Sequence, residues 1–158
     1  MLTIERLTAP YRTIEVQVLA NQDEFVGKVD EILANLEKST IPFVVRSDGQ
    51  DVGFFTLTPS LHDPVEQLRS NNRCTLKSFM IDARYQGKGF AATVLKMLPD
   101  LVPDVFGADL SVGLTVNCRN TQAYKLYEKN GFRDTGELYS GGSAGPQHIM
   151  MMDVTLEV

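Results

Sequence analysis

Apolar and polar residues alternate from Leu2 to Leu7, the period of a half-buried strand. Between Asp23 and Glu37 the period changes. Phe25, Val29, Ile32, Leu33 and Leu36 recur at helical spacing behind an acidic first turn, which predicts a helix. Pro10 to Ala20 carries both signals, with Ile14, Val16 and Val18 reading as strand and the flanks as helix. Pro42 to Arg46 and Val52 to Thr58 are β-rich runs joined by Ser47-Asp48-Gly49-Gln50, which predicts a hairpin. His62 to Asn72 reads as a polar loop and Arg73 to Asp82 as a long strand. A helix is expected over Gly87 to Leu98, with Phe90, Val94, Leu95 and Leu98 on one face. Pro99 is expected to kink or end it, and Pro103 to oppose a regular continuation to Phe106. Leu110 to Val116 is an apolar run of the kind that forms a buried strand. Asn120 to Asn130 predicts a short helix, with Asn120 as N-cap and Gly131 at C′. Phe132 to Tyr139 and Gln147 to Glu157 close the pattern as strands around Gly141-Gly142-Ser143-Ala144-Gly145-Pro146. Strands predominate with helices inserted, the order of an α+β or mixed-sheet α/β domain. No repeat, low-complexity tract or long linker divides residues 1–158, so one domain is expected.

Composition narrows the chemistry. A chain of 158 residues, 43% hydrophobic, can bury roughly two-thirds of its unfolded surface without staples. Two cysteines (Cys74 and Cys118) and two histidines (His62 and His148) cannot make a disulfide framework, a four-ligand zinc site or a multi-histidine metal centre. No apolar run approaches the roughly 18 residues of a membrane span, and MLTIERL lacks the pattern of a signal peptide. A cytoplasmic protein with reduced thiols and no membrane partner is the expectation. The net charge of −5 argues against nucleic acid as a partner. Its distribution is uneven: residues 1–70 hold 11 acids and 6 bases, 71–133 hold 5 and 9, and 134–158 hold 4 acids and no base. A basic middle between acidic ends suits an anionic cofactor at the centre and a cationic substrate at the flanks.

The sharpest local feature is the run from Phe79 to Ala91, in which a strand enters a glycine-containing turn and then a helix. Small residues let backbone approach a ligand there, and the first N–H groups of a helix are unpaired, which makes an anion site. Nothing supplies the GxxxxGK[ST] pattern of a P-loop. Gly87-x-Gly89-x-x-Ala92 nominally matches the dinucleotide fingerprint, but the ribose-holding acid about 20 residues on is missing from its place.

Gln86-x-x-Gly89-x-Ala91 resembles the Q/R-x-x-G-x-G/A signature of the GNAT superfamily of acyl-CoA-dependent N-acyltransferases. A second block follows at a suitable distance: Leu114-Thr115-Val116-Asn117, then Asn120, then Ala123-x-x-Leu126-Tyr127-Glu128-x-x-Gly131-Phe132. Together they cover residues 73–137, and the tail from Gly136-Glu137 to His148-Ile149-Met150 is similar to bacterial spermine/spermidine-type acetyltransferases. The resemblance implies a GNAT-like domain, a bent mixed sheet of about six to seven strands flanked by about four helices, using acetyl-CoA and no metal. It implies that backbone groups of Phe79, Met80 and Ile81 pair with the pantetheine amides as an added strand does. Gln86, Gly87, Lys88, Gly89, Phe90, Ala91 and Ala92 would cradle the pyrophosphate at the helix N-terminus, with Lys88 and Arg84 adding charge. Asn117 and Asn120 fall in the cofactor-binding set, and Asn120 caps its helix as well.

Tyr127 matches the tyrosine that many family members use as general acid on the leaving thiolate, a role a phenol suits chemically. Tyr124, on a different face of the same helix, is the weaker candidate. A primary amine with a pKa near ~10.4 is only on the order of 0.1% neutral at physiological pH, so its proton must leave before or during attack. Asp82, Glu137, His148 and N-terminal acids including Glu24 and Glu31 are available for this, and no motif singles one out. Cys118 has no partner motif for covalent catalysis, and Met150, Met151 and Met152 read as packing residues. The expected reaction is acetyl transfer to a primary amine of a small molecule, a polyamine first, in a ternary complex. An aminoglycoside, a protein or peptide amine, a longer acyl donor and a non-catalytic acyl-CoA sensor stay open. So does a homodimer, since many relatives form one and no stretch here marks an interface.

Overall fold

Seven strands form one mixed sheet: β1 (Leu2–Arg6), β2 (Ile41–Ser47), β3 (Gln50–Pro59), β4 (Arg73–Ile81), β5 (Ser111–Asn117), β6 (Arg133–Tyr139) and β7 (Gln147–Met152). Their order is β1-β2-β3-β4-β5-β7-β6. The computed structural model of the chain describes residues 1–18 and 28–153. Three α-helices lie among the described residues, α1 (Val29–Ala34), α2 (Phe90–Phe106) and α3 (Thr121–Lys129). The predicted helix start at Asp23 to Phe25, Glu24 with it, and the predicted strand end beyond Asp153 lie outside the described residues. Within this α/β domain the chain divides into two compact units, Met1–Thr58 with Leu76–Val94, and Pro59–Thr75 with Leu95–Val158.

In the first unit the expected hairpin is present. Asp48 and Gly49 both have positive φ (49° and 77°), the two-residue turn whose twist matches a hairpin. Successive residues of β2 point to opposite faces of the sheet. Val44 joins Leu7, Ile14, Val29, Phe54 and Met80 in one buried cluster. Phe43 instead stacks on Phe55 at 4.9 Å, and Phe79 meets Phe55 edge-on at 6.2 Å. Gly53 is obligatory where β3 approaches β4, since a Cβ there would lie 2.8 Å from the Met80 carbonyl oxygen.

In the second unit β4 begins parallel to β5, with Arg73, Cys74 and Thr75 opposite Ser111, Val112 and Gly113. β5 pairs antiparallel with β7 from Val112↔Met152 to Asn117↔Gln147, and the three consecutive methionines are buried as expected. Residues 62–72 are not simply a polar loop. Two 3-10 turns, Ser60–His62 and Glu66–Leu68, carry Val65, Leu68 and Asp63 into the interior. The Asp63 carboxylate accepts from the Thr75 hydroxyl (2.8 Å) and the Val65 N–H (2.9 Å), so its burial is compensated. Leu68 fills the space over Gly113, where a Cβ would approach it to 2.7 Å.

The helix read over Gly87 to Leu98, with a kink or end at Pro99, starts at Phe90 and continues through Pro99 and Pro103 to Phe106. Each interior proline costs about 3 kcal/mol of helix stability. Leu95, Leu98 and Val102 are all fully buried on one stripe, worth about 1.5–3 kcal/mol apiece, so packing outweighs the local penalty. The end is closed by the Gly107 N–H, which donates to the Pro103 carbonyl at 2.8 Å.

Candidate active site

The residues singled out by sequence fall on two stretches, one in each unit. In the first unit, Phe79 packs on Phe55 and Met80 sits in the buried cluster, while Ile81 is buried beside them. The Met80 and Ile81 side chains belong to the core while Phe79 is half-buried, so what those two can offer a ligand is backbone.

Beyond β4 the chain is tied down by Asp82. This carboxylate has no exposed surface, and it accepts from the Gln17 N–H (2.8 Å) and the Arg84 N–H (2.8 Å). The Arg84 guanidinium adds a two-pronged contact, Nε at 3.0 Å and Nη2 at 2.9 Å. Burial opposes ionisation, but the Arg84 side chain and the two N–H groups outweigh it and hold Asp82 below the usual carboxylate range. Asp82 is a charged anchor of the fold, which removes it from the general-base candidates. Arg84 is correspondingly engaged in holding Asp82.

The turn that follows has the form the resemblance implied. Gly87 and Gly89 take φ of 80° and 78°, and the space a Cβ would occupy at either is open. The Thr93 N–H and hydroxyl both donate to the Gly89 carbonyl (3.1 and 3.0 Å), which starts α2 at this point. The Gln86 side chain reaches back to the Ile81 carbonyl at 3.2 Å and closes the turn. Phe90, Ala91 and Ala92 make the first turn of α2, where N–H groups have no carbonyl four residues back within the helix. Open space over glycine backbone at a helix start can accept a phosphate-bearing group. Lys88 is exposed on the same turn.

In the second unit, β5 ends at Asn117 and α3 starts after Asn120, whose side chain accepts from the Ala123 N–H at 3.3 Å. The Asn120 N–H donates to the Asn117 carbonyl at 2.8 Å, joining strand end to helix start. Near the end of the second turn of that helix, Tyr127 is half-buried with its ring edge-on to Phe132 at 5.5 Å. Burial pushes the phenol above its ordinary value. Tyr124 differs. Its hydroxyl donates to Asp134 Oδ2 at 2.8 Å, and its ring lies 4.7 Å from that of His148. The Asp134 hydrogen bond raises Tyr124 in turn, and the Tyr124 proton is committed. His148 Nδ1 is 3.5 Å from the same Asp134 oxygen. Asp134 is held low first by the Gly136 N–H, then by Tyr124 and His148. Sequence reasoning had missed Asp134, which no motif marks.

Asn117 also does something its spacing did not announce. Its Nδ2 donates to the Ala144 carbonyl (2.9 Å), and its Oδ1 accepts from the Arg119 N–H (2.9 Å). Arg119 Nη2 donates to the same carbonyl at 2.9 Å, and the Cys118 N–H to the Pro146 carbonyl at 3.0 Å. The segment from Gly141 to Pro146 is thereby latched to the turn that begins α3. Removing one such bond shifts local opening by about 1 kcal/mol, or roughly 5-fold. Asn117→Ala is therefore expected to be cut at residues 141–145 about 5-fold faster in limited proteolysis, and an unchanged rate would remove the latch. Cys74 is buried and its thiol pushed up to about 12, while Cys118 is half-buried. No group of metal-ligating side chains occurs among the described residues, and no helix there is long and apolar enough to cross a membrane.

Comparison with known proteins gives this arrangement a lineage. The family model described as the acetyltransferase (GNAT) family matches residues 4–132. An uncharacterized N-acetyltransferase of Bacillus subtilis is 31% identical over 121 residues, 75% of this chain and 76% of the relative. A spermine/spermidine N(1)-acetyltransferase of the same organism is 28% identical over 131 residues, 82% of this chain and 84% of that one. Among solved structures, aminoglycoside acetyltransferase AAC(6')-Ib in complex with coenzyme A superposes with a TM-score of 0.71 at 16% identity, covering 97% of this chain and 95% of the other. A GNAT acetyltransferase of Elizabethkingia anophelis with acetyl-CoA bound gives 0.66 at 16% identity, with coverage of 96% and 97%. At such identities these structures speak to the fold alone. The family match over most of the chain and the relative above 30% identity carry the assignment: this protein belongs to the GNAT acetyltransferase family.

Proposed function

We propose that this acetyltransferase moves the acetyl group of acetyl-CoA onto a primary amine of a small molecule, by direct attack within a ternary complex. The observation that carries the reading is Tyr127, a phenol held edge-on to Phe132 at the position that matches the tyrosine many family members use as acid. The neutral amine nitrogen bonds to the thioester carbonyl carbon, and its surplus proton passes to solvent. As the carbon–sulfur bond breaks, Tyr127 gives its proton to the departing sulfur and recovers one from water. No covalent enzyme intermediate is needed, because the thioester is already activated. The turn from Gln86 to Ala92 holds the pyrophosphate, and the backbone of Phe79 to Ile81 aligns the pantetheine.

Relatives named for spermine/spermidine and solved neighbours named for aminoglycosides all act on amines, which supports an amine acceptor for this chain. The test is thiol release from acetyl-CoA across a panel of polyamines, aminoglycosides, amino acids and lysine peptides. Amine-dependent release is expected. Saturable acetyl-CoA binding with no release on any amine would replace this reading with that of an acyl-CoA sensor. A second expectation concerns the turn. Gly89 sits at φ 78°, where a side chain costs about 1–2 kcal/mol and would project into the phosphate space. Gly89→Ala should raise the acetyl-CoA KM about 10-fold and leave the amine KM unchanged. Equal changes in both would show a general disturbance instead.

A further inference from the structure

We propose that Asp82 is a positioning residue through which bound acetyl-CoA locks residues 11–17 onto the end of β4, so that segment and cofactor turn open together. This rests on the reading of Gln86 to Ala92 as the acetyl-CoA pyrophosphate turn. Every residue it uses lies in the first unit.

Residues 11–17 form neither helix nor strand. Ile14 is buried in the cluster with Val44, Phe54 and Met80, and Tyr11 and Val16 pack against it. Between these apolar contacts the backbone turns to two carboxylates. The Glu15 N–H donates to Asp51, which the Arg12 guanidinium also grips with two bonds, of 2.8 and 2.9 Å. Two residues on, the Gln17 N–H donates to Asp82 Oδ2 at 2.8 Å, and the Gln17 carbonyl accepts from the Ala83 N–H at 2.6 Å. Gln17 is thus held in both directions, by two consecutive residues.

The same two residues begin the cofactor turn. Asp82 Oδ1 takes the Arg84 N–H at 2.8 Å, and the Asp82 carbonyl takes the Tyr85 N–H at 2.9 Å, which together close the 3-10 turn Ala83–Tyr85. The Asp82 N–H donates to the Val52 carbonyl at 2.8 Å, next to Asp51 on β3. Gln86 follows at once, then Gly87 and Gly89 with the open space over them. One carboxylate therefore serves the segment through Oδ2 and the turn through Oδ1, and it has no exposed surface. Water does not reach it to replace a lost donor. When Gln17 leaves, Asp82 shifts, and the Arg84 and Tyr85 N–H groups that start the turn shift with it. A ligand that binds only the closed turn then holds the segment as well.

Hydrogen exchange of single backbone amides, followed by NMR with coenzyme A as the probe, tests this. At about 100 times the measured Kd, linkage allows at most about 100-fold slowing of any opening that releases the ligand. The Gln17 and Ala83 amides are expected to slow at least about 10-fold. The Asn35 N–H, which bonds the Ile32 carbonyl at the end of α1 and does not touch Asp82, is the control and should keep its rate. An Asp82 that only stabilises the fold would leave Gln17 exchanging equally with and without coenzyme A. Arg84→Ala removes a half-exposed guanidinium and leaves both N–H groups on the carboxylate. Protection at Gln17 should therefore persist in that variant at about 100 times its own Kd, and its loss would move the joint from Asp82 to Arg84 and overturn the proposal. Saturable coenzyme A binding with a smaller change at Gln17, or with equal slowing at Asn35, overturns the coupling and leaves the cofactor site standing. Absence of saturable binding overturns the coupling and the cofactor reading together.

Discussion

Replacing Tyr127 with phenylalanine is expected to lower kcat about 100-fold, the lower end of what a lost general acid costs. The substitution deletes one oxygen and keeps the ring edge-on to Phe132, so α3 and its packing should survive. Both KM values should stay near those of the wild type, because the proton is needed only as the carbon–sulfur bond breaks. Steady-state thiol release on a folded variant, checked by thermal melting, measures this. A drop below about 3-fold would take the acid role away from Tyr127 and leave the enzyme assignment standing. Tyr124→Phe is the control, since that hydroxyl is already spent on Asp134. The pH profile carries a sign as well. An acid works while protonated, so activity owed to Tyr127 is present at lower pH and lost as pH climbs through its raised pKa. Burial has moved that loss above the ordinary tyrosine range.

The largest effect on stability is expected at Asp82. Asp82→Ala leaves the N–H groups of Gln17 and Arg84 without their acceptor in a site closed to water, a loss of about 2–4 kcal/mol. Asp82→Asn keeps the size, but it turns an amide NH₂ toward groups that are all donors, so it should recover little. Arg84→Ala should cost clearly less, because that guanidinium is half-exposed and well screened. Urea unfolding of the three variants gives the ranking, and equal losses at Asp82 and Arg84 would contradict it. The linkage has a definite direction. The folded pKa of Asp82 is depressed, so its contribution is complete above the unfolded carboxylate value near ~4 and fades as pH falls through the folded value. The alanine variant should therefore lose less stability than the wild type on acidification below about pH 4. Because Asp82 also starts the turn of Ala83–Tyr85 that leads into Gln86, its removal should weaken acetyl-CoA binding too.

Much of the candidate site was legible because its signals are local. Gly87 and Gly89 are needed for backbone angles within their own turn, Asn120 caps a helix that starts beside it, and Asp48-Gly49 makes the hairpin turn by itself. The spacing from Asn117 to Phe132 is likewise contained in one strand–helix–strand segment, which is why Tyr127 stands out as a candidate from sequence.

Other features depend on partners far along the chain. Asp82 looked like any strand-end acid until Gln17, 65 residues earlier, was found to donate to it. Asn117 reaches Ala144 across 27 residues, a bond that no spacing rule contains. The left-handed turn at Ser78 leaves no trace in composition, since nothing about serine forecasts it. The prolines of α2 read locally as a stop, and only the burial of Leu95, Leu98 and Val102 shows why the helix continues.

By itself, then, the sequence determined the strand and helix order, the glycine-bearing turn and the lineage, because each is encoded over a span of a few turns. Tertiary structure decided which polar groups are anchors and where β4 departs from regularity. Those outcomes depend on desolvation and on hydrogen bonds closed between distant segments, and neither has a value until the chain has folded.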